Sequence, residues 1–85
     1  MNDEKLIFAD GTEAIGHLIE TESRLFLYIY GLTMTEVFNL LIVPENTKTI
    51  KWESFGNNGK VTGYRHLMSV SEEAGGMISA SLKKN

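Results

Sequence analysis

The sequence predicts a mainly antiparallel α+β domain with element order β-β-β-α-β-β-β. One short helix packs on a curled sheet, giving a small sandwich or a partly open barrel. Three observations lead there. Short β-prone runs are separated by Gly, Asn, Asp and Ser clusters. A single capped amphipathic segment interrupts them midway. The connections between strands are short enough to force antiparallel pairing. A chain of 85 residues is one domain, 1–85, and its core is thin at that size.

The elements follow in order. Lys5-Leu-Ile-Phe-Ala9 is β-prone and leads into Asp10-Gly11, which reads as a type I′ hairpin turn. The second strand, Thr12 to Glu20, alternates Ala14, Gly16 and Leu18 against Ile15, His17 and Ile19. After a polar turn at Thr21-Glu22-Ser23 comes Arg24-Leu-Phe-Leu-Tyr-Ile-Tyr30, the most apolar stretch of the chain. Leu25, Leu27 and Ile29 face one side there, and Phe26, Tyr28 and Tyr30 face the other. A strand apolar on both faces is a central strand covered on both sides. The helix supplies one cover, and a second sheet layer or a partner supplies the other.

Thr33-Met-Thr-Glu36 has the form of a capping box. Met34, Val37, Phe38 and Leu41 then fall at i, i+3, i+4 and i+7, which predicts a buried stripe containing Phe38. Pro44 stops the helix. Strand structure resumes over 47–54 with Ile50 and Trp52 inward, and the cluster 55–59 is a turn. Residues 60–70 read as one long strand with Tyr64, Met68 and Val70 in phase, and 77–82 as the closing strand before a frayed Lys83-Lys84.

Composition narrows the chemistry. There is no cysteine, which removes disulfides, thiolate metal sites and thiol nucleophiles and fits a reducing compartment. A net charge of -3 with dispersed Lys and Arg argues against nucleic acid as partner. No secretory signal is visible at the N-terminus and no apolar run approaches the ~20 residues of a membrane helix, so the expected location is the cytoplasm.

No catalytic constellation is legible. His17 and His66 are two ligands without a third, a poor zinc site. His66 and Ser69, three apart on one strand, are expected on opposite faces. Asp10-Gly11-Thr12 has the wrong order for an aspartic-protease triplet and is explained by turn chemistry. Gly56-Asn-Asn-Gly-Lys60 lacks the spacing and the Ser or Thr of a phosphate loop. Glu72-Glu73, the one adjacent acidic pair, lies in a turn. The expectation is a chain with no enzymatic activity, catalytic residue, metal or cofactor. The candidate partner-binding residues are Phe26, Tyr28 and Tyr30, with Trp52 and Phe55 as secondary ones, because exposed aromatic area marks interfaces.

The pattern of Leu6-Ile-Phe-Ala-Asp-Gly-Thr12, the capped Met34-Thr-Glu-Val-Phe-Asn-Leu-Leu41 and Pro44-Glu-Asn-Thr-Lys-Thr-Ile50 resembles small uncharacterised proteins encoded by phages and prophages of Gram-positive bacteria. Thr62-Gly-Tyr-Arg-His-Leu67 and the run from Met77 to Lys83 extend the likeness. What the resemblance implies is a non-enzymatic, protein-binding accessory protein of a virion or tail, self-associating into a homo-oligomer or binding a neighbour. The alternative it implies is an inhibitor that sequesters a bacterial defence protein or its signal molecule in the host cytoplasm.

Overall fold

The computed structural model describes residues 3–84, excluding the side chains of Tyr64 and Arg65. The expected facing of Tyr64 therefore lies outside the described residues.

Seven strands form one antiparallel sheet: β1 (Glu4–Ile7), β2 (Glu13–Glu20), β3 (Arg24–Tyr30), β4 (Thr49–Ser54), β5 (Asn57–Thr62), β6 (Tyr64–Glu72) and β7 (Ile78–Lys84). Their lateral order is β5-β4-β1-β2-β3-β7-β6. Two helices, α1 (Met34–Leu41) and α2 (Pro44–Lys48), connect β3 to β4. The predicted fold class and element order hold. The sheet is curled but not closed, and there is no second sheet layer among the described residues.

The expected strand over 60–70 is two strands. Gly63, at φ 93°, breaks it and sends its halves to opposite ends of the sheet. Strand propensity alone does not see this, because Val61 and Leu67 suit either reading. One residue between the two edge strands requires the sheet to curl until its ends approach. The Gly63 amide donates to the Lys48 carbonyl at 2.9 Å, which ties this corner to the end of α2.

The helices fill the space between the approaching edges. α2 packs against β4, β5 and β6, and α1 against β6. Thr33 caps α1 as read from sequence: its hydroxyl accepts from the Glu36 amide at 3.1 Å, and the Glu36 carboxylate accepts from the Thr33 amide at 2.9 Å. Pro44 does end α1, but it also starts α2 at its first position, where a missing N–H costs nothing. Strand β4 accordingly begins at Thr49 rather than at residue 47.

The inward face of the sheet carries Leu6, Phe8, Ala14, Leu25, Leu27, Ile29, Ile50, Val61, Ile78, Ala80 and Leu82. From α1 the buried side chains are Val37, Leu40 and Leu41. The predicted stripe is thus corrected: Phe38 is 48% exposed and Met34 is also exposed. The segment is apolar on two sides, so its periodicity alone does not select the buried side. Placement over β6 turns Leu40 inward and Phe38 out.

The β1–β2 connection also differs from the expected two-residue turn. Phe8 accepts from Gly11 and donates to the Thr12 carbonyl, both at 2.9 Å, so Ala9-Asp10-Gly11 forms a three-residue loop. Only Gly11, at φ 91°, is left-handed. This sets the register at Leu6 opposite Ala14. A two-residue turn would place Leu6 opposite Ile15 and reverse every side chain of β2. At the other end of the chain, Lys83 and Lys84 belong to β7 rather than to a frayed tail.

Gly16 lies where β2 bends most closely over β3. A Cβ added there would overlap the Tyr28 carbonyl oxygen, which is backbone and cannot move aside. Gly16→Ala is expected to lower stability by roughly 3 kcal/mol, the upper range for overpacking, as read from chemical denaturation. The helix assignment has its own check. Leu41→Ala is expected to cost about 2 to 5 kcal/mol and the exposed Phe38→Ala under about 1 kcal/mol in the same assay.

Candidate functional site

The outward face of β2 and β3 carries the largest group of exposed apolar side chains on the sheet. Register places Ile15 beside Tyr30, His17 beside Tyr28 and Ile19 beside Phe26. Ile15 is 49% exposed and Ile19 41%, while Phe26 and Tyr28 are half-buried. Directly opposite side chains lie ~5 Å apart, so these six make one continuous patch. His17 and Tyr28 stack with ring centroids 4.7 Å apart and planes 22° from parallel. The His17 Nδ1 is buried without a hydrogen-bond partner, a cost the patch carries in its unbound form.

The flanks of the patch differ. Toward β1, β4 and β5 it gives way to charge. Lys5 pairs with Glu13 at 3.6 Å and Glu53 at 4.0 Å, and Lys51 stands opposite Lys60. These ion pairs are well exposed and contribute little to stability. Toward β7 and β6 it gives way to hydroxyls. Ser71 and Ser79 are 2.9 Å apart, and both donate to the Glu73 carboxylate, at 3.0 and 2.9 Å. Next to them the Arg24 guanidinium donates to Ser81 at 3.2 Å.

The structure brings Phe26, Tyr28 and Tyr30 together but does not join Trp52 or Phe55 to them. Trp52 pairs with Leu6 and faces inward, its indole lying over Gly59. Phe55 is 84% exposed at the tip of the β4–β5 hairpin. Sequence reading also gave no functional weight to Ile15, His17 and Ile19. Their alternation is visible in the sequence, but it takes the strand pairing to set them beside the aromatic residues of β3.

Phe55 has an unusual backbone. With Gly56 it forms the two-residue turn of the hairpin, at φ 46° and 82°. Both positive values define the type I′ geometry that Asn-Gly satisfies best and that a bulky side chain resists. An exposed aromatic residue held in a strained turn gains nothing from packing, and such outliers point to function.

A shallow cleft where the β1–β2 turn meets α1 is lined by Asp10, Thr12, Glu36, Asn39 and Asn46, among others. Both of its carboxylates are engaged by backbone amides. The Thr12 amide holds the Asp10 carboxyl below its ordinary range, and the Thr33 amide does the same for Glu36. They act as turn and helix caps rather than as an acid/base pair.

His17 and His66 are separated by two strands, β3 and β7. Among the described residues no group of three His, Asp or Glu side chains is placed to hold a metal ion. The expected opposition of His66 and Ser69 is corrected by a bulge at Met68. His66 pairs with Lys83 and Ser69 with Ser81, so both face the same side, and no hydrogen bond joins them. No helix among the described residues is long and apolar enough to cross a membrane.

Comparison with protein-family models, with curated proteins and with solved structures finds no match to this chain.

Phe55 provides a direct check on the cost of its turn. Phe55→Asn is expected to raise stability by about 1 kcal/mol, since it relieves the left-handed strain and loses no packing. A denaturation midpoint shifted upward would show it, and a downward shift would show that the ring packs on the hairpin after all.

Proposed function

We propose that this chain is a non-enzymatic protein-binding domain whose contact surface is the outward face of β2 and β3. The observation that supports it is the patch of Ile15, His17, Ile19, Phe26, Tyr28 and Tyr30, over which neither helix packs. Aromatic and β-branched side chains on a rigid sheet give large contact area at small entropic cost, and depletion of charge at the centre with a polar rim is the usual anatomy of an interface. A second copy of the chain or a neighbouring protein would fit such a surface equally well. The resemblance to small phage-encoded proteins supports an accessory role in a virion or tail complex.

The experiment separates contact from core. Ile15→Ser and Ile19→Ser act at exposed positions, so the denaturation midpoint is expected to change little. Self-association by light scattering over a concentration series, or retention on purified phage particles, is expected to weaken about tenfold or more for the double variant, as for loss of a hot spot. Undiminished association would remove this face from consideration. A collapse of the midpoint would assign these residues to the core instead.

A further inference from the structure

We infer that the free edge of β5 is a second binding site, which takes up an extended acidic segment of another protein as an added strand. It is separate from the aromatic face and does not rest on that reading. Of the two sheet edges, β6 is covered by α1 and α2, whereas β5 from Asn57 to Lys60 is exposed apart from half-buried Gly59. The closing pair of the two-residue hairpin, Ser54 and Asn57, fixes the hydrogen-bond phase of the ladder. Asn57, Gly59 and Val61 bond to β4. The amides and carbonyls of Asn58 and Lys60 point away from it, and neither residue has a hydrogen bond on that side. This is an open template for strand addition.

Two features select the guest. On the outward face Lys51 and Lys60 stand directly opposite each other, a like-charge pair that opposes strand pairing, and neither forms an ion pair among the described residues. The acid nearest along the strand, Glu53, is engaged with Lys5. A carboxylate on an added strand, one strand spacing of ~4.8 Å from Lys60, relieves that repulsion. On the inward face Trp52 is half-buried and lies over Gly59, where the absence of a side chain leaves the indole facing a hollow at the edge. A guest side chain beside Gly59 would meet that ring. The fitting segment therefore alternates acidic with apolar residues. A second copy of this chain fits poorly, because antiparallel pairing of two β5 edges would bring the lysine pairs of both copies together.

The chain has a single tryptophan, so the emission of Trp52 reports on this site alone. The probes are a short capped peptide of alternating valine and glutamate, and its counterpart with lysine in place of glutamate. The acidic peptide is expected to shift the emission saturably and to bind about tenfold more tightly than the basic one, which corresponds to ~1.4 kcal/mol. Lys60→Glu is expected to reverse that order. Lys60→Pro, which deletes the outward amide, is expected to abolish the response at an unchanged denaturation midpoint; if it unfolds the chain, the Lys60→Glu reversal decides. No shift with either peptide, equal binding of both, or a folded Lys60→Pro that still responds would overturn the inference. So would a concentration-dependent dimer that Lys60→Pro dissociates, since the occupant would then be a second copy.

Discussion

β5 and β6 are consecutive in the chain, one residue apart, yet they form opposite edges of the same sheet. That covalent constraint governs the rest of the architecture. A flat sheet of seven strands would hold its edges six strand spacings apart, about 29 Å. The sheet must therefore curl until one glycine can span the gap. Curling produces an enclosed inner face, where Leu6, Leu25, Leu27, Ile29, Ile78 and Leu82 lose all or nearly all contact with solvent. Each such side chain contributes about 1.5 to 3 kcal/mol relative to exposure. It also leaves an outer face with no layer above it.

The edges approach without bonding to each other, and the helical segment seals the opening. Its position is held by Asn46, which is only 3% exposed. The Asn46 carbonyl oxygen accepts from the Asp10 amide at 3.1 Å, and its amide nitrogen donates to the Leu40 carbonyl at 3.0 Å. One side chain thereby satisfies the end of α1 and the β1–β2 turn together. A buried amide of this kind is favourable only while both partners are present, since each unmet group costs about 1 to 3 kcal/mol. The turn, the helix end and the corner at Gly63 thus depend on a common geometry. That geometry also presents β3 with its aromatic side chains outward.

Several features run against stability. Phe55 occupies a left-handed turn position, Lys51 opposes Lys60, and His17 keeps an unsatisfied nitrogen beneath an apolar patch. None improves packing, and all lie outside the enclosed core. A small domain has little stability to spare, so these positions are where the sequence favours contact with something else over its own folding. Their locations are distinct. The patch is at the centre of the sheet, and the lysine pair and the aromatic tip are on one projecting hairpin.

The sequence by itself determined the fold class, the helix start and the two-faced character of β3, because each is written in local pattern. Thr33 and Glu36 cap the helix through neighbours three residues apart, and strand alternation separates Leu25, Leu27 and Ile29 from Phe26, Tyr28 and Tyr30. It also marked the aromatic residues of β3 as unusual. Only the tertiary structure decided which apolar side of α1 is buried, since Phe38 and Leu40 are equally acceptable to a periodicity and only packing on β6 distinguishes them. The same holds for Gly63, whose strand-breaking role depends on the sheet's edges having to meet. The face of β2 that joins the patch was set by one residue of loop length at Ala9-Asp10-Gly11, because register has a period of two and a single step exchanges inside for outside. Trp52 and Phe55, adjacent in type and near in sequence, went to different surfaces for the same reason. Local pattern fixes alternation, while pairing and curvature decide what each side meets.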